Sequence, residues 1–156
     1  MNAQNGTLLV SAIKNGTVID HINAGMALKI LSILNLNHAK HTITVGINLK
    51  SKSKGRKDII KIEDWEVDSD TANKIAIFSP DATVNIVSNF NVSKKYAIHL
   101  PKKIAGLVVC PNPKCITNNE TMDSLFYTTQ EKNEVKLSCH YCEKVFQQSD
   151  VKSYKY

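Results

Sequence analysis

No cysteine occurs in the first 109 residues of this chain, and the whole chain has only four. That excludes a disulfide scaffold, which needs cysteines spread through the fold. Six glycines and four prolines in 156 residues exclude a fibrous or low-complexity chain. No apolar run approaches the roughly 18 residues of a membrane-crossing helix, so no membrane partner is expected. Met1–Thr7 carries no positive charge ahead of the first apolar residues, so no secretory leader is expected and the cytoplasm is the expected location. A Gly-x-x-x-x-Gly-Lys phosphate loop, a Gly-x-Gly-x-x-Gly turn, a His-Glu-x-x-His helix and a nucleophile–base pattern are all missing. With no catalytic residues to name, the chain is not expected to be an enzyme.

What is present supports folding. Hydrophobic residues make up 42% of the chain, enough for a packed core. The length suits one medium domain or two small ones. The net charge is +6, unevenly spread: residues 1–100 hold 12 Lys+Arg against 8 Asp+Glu, and residues 101–156 hold 8 against 6. Four thiolates and one Zn²⁺ would bring the C-terminal part to about zero, which does not suit the basic face of a nucleic-acid-binding zinc module. The positive charge gathers instead at Lys50, Lys52, Lys54, Arg56, Lys57 and Lys61, opposed only by Asp58.

Periodicity gives the elements. Thr7–Ile13 is rich in β-branched and apolar residues and reads as a strand, with Lys14-Asn15-Gly16 as the turn after it. Ala24–Leu34 reads as a helix capped by Asn23, with Ala27, Ile30, Leu31 and Leu34 on one face. Thr42–Leu49 alternates strictly, as a half-buried strand does. Asp58–Glu63 is a further strand. Ser69 is the expected cap of a second helix with Ala72, Ile75, Ala76 and Phe78 as its apolar side, stopped by Pro80. Thr83–Ser88 and Lys95–His99 read as closing strands. This β-α-β-β-α-β order with one extra strand predicts an α+β, ferredoxin-like antiparallel sheet with both helices on one face. The pattern breaks at Leu100–Lys103, so we expect an N-terminal domain over 1–100 and a C-terminal domain over 101–156.

The cysteines fall as Cys110-x4-Cys115, then 23 residues, then Cys139-x2-Cys142. Pairs separated by two to four residues reach one tetrahedral ion from single tight turns, and two prolines pre-set the first of them. Ser124–Thr128 and Val135–Leu137 read as strands between the turns, giving a zinc-ribbon-like β module. Four sulfur ligands leave no open position, so one structural Zn²⁺ is expected. Four free or disulfide-linked cysteines, or His140 in place of one cysteine, are the other readings of the same pattern.

Three segments of the N-terminal part, together with the cysteine pattern, carry a resemblance. They are Gly16-Thr-Val-Ile-Asp-His-Ile22, Gly55-Arg-Lys-Asp-Ile-Ile-Lys-Ile-Glu63 and Pro80-Asp-Ala-Thr-Val-Asn85. From about Leu9 to Phe146 the chain resembles the regulatory chain of aspartate carbamoyltransferase, a non-catalytic subunit in pyrimidine biosynthesis. The resemblance implies an N-terminal allosteric domain that binds CTP and ATP, with Mg²⁺ as a companion of the triphosphate. It implies a zinc domain docked on the catalytic chain, and regulatory chains paired as homodimers. The nucleotide pocket it implies maps onto Ala12, Ile13, Val18, Asp20, His21, Lys61, Asn85, Phe90, Val92 and Lys95. In it Lys95 and His21 meet the phosphates, Asp20 and Lys61 flank the ribose, and backbone around Ala12 and Ile13 reads the base. Lys57 is a possible helper there and Lys94 a possible substitute for Lys95.

Taken alone, these residues read more plainly: Asp20 and His21 as a turn pair, Lys61 as a solvent-facing strand residue, Lys50–Lys57 as a solvated loop. The chain departs from the family at Phe90, where an aromatic hydroxyl is common, and at Lys114 and Ser11. The competing function is a zinc-ribbon nucleic-acid-binding protein using Lys50–Lys57, which predicts steeply salt-dependent binding.

Overall fold

A computed structural model describes residues 10–36, 40–96 and 98–155. In the N-terminal half, β1 (Gly16–Asn23), β2 (Ile43–Ser51), β3 (Gly55–Glu63), β4 (Thr83–Ser88) and β5 (Asn91–Tyr96) form one sheet in the order β2-β3-β1-β4-β5, antiparallel at every step. Helices α1 (Ala27–Ile33) and α2 (Ser69–Ile75) lie between β1 and β2 and between β3 and β4 in the chain. This is the expected ferredoxin-like order with β5 added at the edge.

The two faces of the sheet differ. Ile19, Ile60 and Val84 form one cross-strand row, and Thr17, Ile62 and Ile86 the next. All six are buried, and the five aliphatic ones join Ala27, Ile30, Ala72 and Ile75 in the core, so both helices cover this face. At 25 cal/mol per Å² and full burial, each such aliphatic side chain contributes about 1.5–3 kcal/mol.

The first strand differs from expectation. Thr7–Leu9 lies outside the described residues, and Val10–Ile13 is irregular rather than β; the strand begins after the turn, at Gly16. Gly16 has φ +138°, and a Cβ there would sit 2.0 Å from the Ile62 carbonyl oxygen. Only glycine lets β1 approach β3 so closely.

Helix α1 starts at Ala27, not Ala24, and Asn23 does not cap it. The buried carboxylate of Asp58 serves its start instead, accepting from Ala27 N at 3.0 Å in the first turn and from Gly25 N at 2.9 Å just ahead of it. Helix α2 is capped one residue earlier than expected, by Asp68, whose carboxylate accepts from Thr71 N at 2.8 Å; it ends at Ile75 and leaves Phe78 beyond it. The last strand of the half is Asn91–Tyr96 rather than Lys95–His99, with Ala97 outside the described residues.

In the C-terminal half, β6 (Lys103–Ala105), β7 (Leu125–Glu131), β8 (Glu134–Cys139) and β9 (Val145–Gln147) make an antiparallel sheet in sequence order. Phe126, Leu137, Val108 and Val151 are its buried centre. The tail returns across this half: Tyr154 bridges to Val108, and its ring lies 4.9 Å from that of Phe78 in the N-terminal half.

Candidate functional site

The cysteines meet between two turns. In the first, Cys115 N donates to Asn112 O at 3.0 Å. The Asn118 side chain donates to the carbonyls of Cys110 and Asn112 at 2.9 and 2.8 Å, and that of Asn119 to the Cys115 carbonyl at 2.9 Å. In the second, β8 runs into the Cys139–Cys142 turn, closed by Cys139 N to Lys144 O at 3.0 Å and Glu143 N to Cys139 O at 2.9 Å. Positive φ at Glu143 (60°) makes this reversal. The locking asparagines were not singled out in the sequence; their signal is the polar Thr117-Asn118-Asn119 run just after a cysteine.

The four sulfurs lie within 4.8 Å of one another, with Cys110–Cys142 and Cys115–Cys139 each at 3.7 Å. A disulfide needs about 2.05 Å, so neither pair is bridged. Four sulfurs about 2.3 Å from one ion stand about 3.8 Å apart along each tetrahedral edge, which two of the pairs already match. Burial pushes the Cys110 and Cys139 thiols up. Burial acts the same way on Cys142, but the Lys144 amide, the Asn112 side chain and the neighbouring thiols outweigh it and bring it down to about 7. Four thiolates sharing this space need a cation among them. The donor set fits a structural metal such as zinc, with Thr117 Oγ1 at 3.1 Å from the Cys115 sulfur. His140 is not in the cluster; its Nδ1 pairs with Tyr127 OH at 2.9 Å.

The face of the N-terminal sheet away from the helices gathers most of the other candidate residues. Lys61, Val18, Asn85 and Lys95 are direct cross-strand partners in sequence β3-β1-β4-β5 and so form one row. Asp20 stands two residues along β1 opposite Thr83, and Val92 opposite Val87, on the same face. Ile13 is buried, Ala12 is exposed, and Phe90 sits on the β4–β5 turn, 65% exposed, with its amide bonded to Lys14 O at 2.9 Å. Lys94 faces the other way, opposite Ile86 and 4.7 Å over the Tyr96 ring, and so cannot replace Lys95.

The lysines of this face are not a solvated run. Lys57 Nζ lies 2.8 Å from Asp20 Oδ1, and both side chains are nearly buried. Lys61, 3% exposed, donates to the carbonyls of Val10 at 3.2 Å and Ser11 at 2.7 Å, so the irregular N-terminal segment covers it. Burial pushes the Lys61 ammonium down, partly countered by the charge of Asp20. Burial also pushes the Asp20 carboxyl up, but the Lys57 hydrogen bond, the His21 amide and the nearby charges outweigh it and hold it below the usual carboxylate range. His21 sits in a register shift of β1 with φ 56°, its ring 3.1 Å from Thr83 Oγ1. Chemically this face brings the cations Lys57, Lys61 and Lys95 together around one carboxylate. A polar hollow lined by Thr117, Asn118, Glu120, Met122 and Lys155 opens beside the metal turns.

Comparison with known families agrees with both halves. Residues 8–99 match the family described as "Aspartate carbamoyltransferase regulatory chain, allosteric domain", and residues 102–152 match its "metal binding domain". Proteins named "Aspartate carbamoyltransferase regulatory chain" are similar along nearly their full length. The one from Photobacterium profundum is 46% identical over 144 residues, 92% of this chain and 94% of the relative. That from Aeromonas hydrophila is 46% identical over 154 residues, 99% of each. That from Yersinia pestis is 47% identical over 146 residues, 94% of each. Each is named as the regulatory chain and not the catalytic one.

Proposed function

The chain belongs to the aspartate carbamoyltransferase regulatory chain family, and from that premise we propose that it binds CTP and ATP on the face of its N-terminal sheet away from the helices and passes their effect to the catalytic chain through a zinc-stiffened C-terminal half. The observation that carries the effector reading is the single cross-strand row of Lys61, Val18, Asn85 and Lys95, flanked by Asp20 and His21. A triphosphate, alone or with Mg²⁺, needs cations at one end, which Lys95 and His21 supply, and hydroxyl partners in the middle, which Asp20 and Lys61 supply. The base then lies toward Ala12, Ile13, Phe90 and Val92, where backbone groups can accept either a purine or a pyrimidine. Since Lys61 and Asp20 are engaged with the N-terminal segment and Lys57, a nucleotide has to exchange those contacts for its own. CTP and ATP can act differently only by making different contacts in the two states of the assembly.

The allosteric part occupies 1–100 and the zinc part 101–156, with the shift passing near Pro101. Zinc holds the two cysteine turns as one rigid surface for the catalytic chain, since a sheet this small buries too little apolar area alone. The exposed β2 edge is the surface we assign to pairing with a second copy, Ile47 being 49% exposed there. Reduced, metal-binding cysteines suit the cytoplasm. Nucleic-acid binding through Lys50–Lys57 is less well supported, because Lys57 is buried against Asp20.

The test is to mix the zinc-loaded chain with a catalytic trimer and follow mass and activity with and without CTP or ATP. A larger assembly whose activity responds to either nucleotide is expected. A chain that leaves the trimer's mass and activity unchanged would refute the proposal.

A further inference from the structure

Lys54 belongs to the basic run that the pocket does not use, yet its contacts are not those of a loop lysine in solvent. Its Nζ donates to the His21 carbonyl at 3.0 Å and to Asn23 Oδ1 at 2.6 Å, lies 4.0 Å from Asp81 Oδ2, and its side chain is 17% exposed. His21 is a residue that needs holding. Its left-handed backbone, at φ 56°, is disfavoured for a residue with a Cβ. Its amide donates to Asp20 Oδ1 at 2.7 Å and its ring meets Thr83 Oγ1; Lys54 supplies the contact to its carbonyl. Asn23, the other acceptor, is itself anchored, its amide donating to Ser79 Oγ at 2.5 Å and its side chain to Phe78 O at 3.4 Å. Lys54 therefore clamps the kink of β1 to a fixed point two residues on.

We propose that Lys54 is a positioning residue for effector binding: it sets the His21 kink so that the imidazole meets the nucleotide's phosphates, without touching the nucleotide itself. This rests on the reading of His21 as a phosphate contact. Two of the three donors of its ammonium go to the His21 carbonyl and Asn23 Oδ1, and the Asp81 carboxylate lies 4.0 Å away, so its charge is directed at protein partners rather than outward to a phosphate. A positioning role and a direct contact predict different couplings, and a double-mutant cycle separates them.

The experiment is titration calorimetry of the zinc-loaded full-length chain with CTP and with cytidine, on the unmodified chain, Lys54→Met, His21→Ala and the double variant. Lys54→Met should weaken CTP about tenfold, the worth of one charge-assisted hydrogen bond, and leave cytidine within about twofold. In the His21→Ala background the same change should cost less than about twofold, and Lys54→Arg should recover most of the affinity. A tenfold loss that persists without His21 would make Lys54 a direct phosphate ligand and overturn the proposal. So would unchanged CTP affinity, with or without a lowered melting temperature, or an equal loss for cytidine. An unmodified chain that does not bind CTP would instead refute the pocket itself, and the role of Lys54 with it.

Discussion

Replacing Asp20 with asparagine removes one charge from the N-terminal sheet and little else. Asparagine keeps the shape and can still accept from the His21 amide. What is lost is the counter-ion of Lys57, which lies 2.8 Å away with 11% of its side chain exposed. Stranding one charge of a buried pair costs about 3–5 kcal/mol, and the residual exposure places this case near about 3. Lys61, a further cation on the same face, adds repulsion once the carboxylate is gone. The double variant Asp20→Asn/Lys57→Met should cost less than the single one, since no ion is left unpaired. Urea unfolding of the zinc-loaded chain, followed by fluorescence of Trp65, measures this in the right half. Trp65 is the only tryptophan, and its carbonyl accepts from Thr17 Oγ1 at 2.6 Å on β1. The pH dependence has a fixed sign. A carboxyl held low in the folded chain binds its proton more readily when unfolded. Its contribution is therefore complete above the unfolded value of about 3.9 and disappears as pH falls through the lower folded value. The gap between the native chain and Asp20→Asn should be full at neutral pH and close below about pH 4. A single variant that costs under about 1 kcal/mol at neutral pH, or a gap that acid does not narrow, would mean the pair does not hold the sheet.

Metal analysis should return about one zinc per chain with sulfur neighbours at about 2.3 Å by X-ray absorption, and Cys115→Ser should lose both the metal and docking to the catalytic trimer; a metal-free chain that still docks would contradict this. Gly16→Ala places a Cβ 2.0 Å from the Ile62 oxygen and should destabilise by about 3 kcal/mol or more in thermal unfolding, whereas a loss under about 1 would show that β1 can retreat from β3. Lys95→Ala should weaken triphosphates far more than nucleosides, while Lys94→Ala, on the helix-covered face, should change neither; equal losses for nucleoside and triphosphate would remove Lys95 from the phosphates.

Local pattern was enough for some of this. The alternation of Thr42–Leu49 located β2 within two residues, and the spacing of the cysteines located the metal turns. Where expectation and structure part, the deciding contacts are long-range. Val10–Ile13, the described part of the expected first strand, and Thr17–Asn23 both hold β-branched residues; what favours the second is a glycine that fits against Ile62, 46 positions on. Asn23 is a good cap by composition, but Asp58, on a distant strand, already serves the start of α1, and Asn23 bonds Phe78 instead. Lys57 and Lys61 looked solvated because alternation says only which residues share a face. That Asp20 and the Val10–Ser11 backbone cover this face is tertiary information.

The tail was the least legible segment, having no periodicity, and it connects the two halves. Gln148–Asp150 make a short 3-10 turn, Val151 is 2% exposed, and Lys155 N donates to Leu107 O at 2.7 Å, which fixes Tyr154 against Phe78. Phe78 is in turn bonded through its carbonyl to Asn23, next to the His21 kink. A covalent link near Pro101 is thus not the sole connection between the N-terminal sheet and the metal-binding half. Such packing transmits a signal only if it has two arrangements that a ligand distinguishes. Tyr154→Ala tests this: loss of the ring should cost about 3 kcal/mol of stability. In the assembled enzyme it should reduce the activity change produced by CTP or ATP while leaving the affinity for either nucleotide within about twofold. Tyr154→Phe keeps the ring and loses only the hydroxyl that accepts from Gln148 Nε2 at 3.2 Å, so it should keep the response. A Tyr154→Ala enzyme with undiminished response would show that the signal runs through the chain near Pro101 alone.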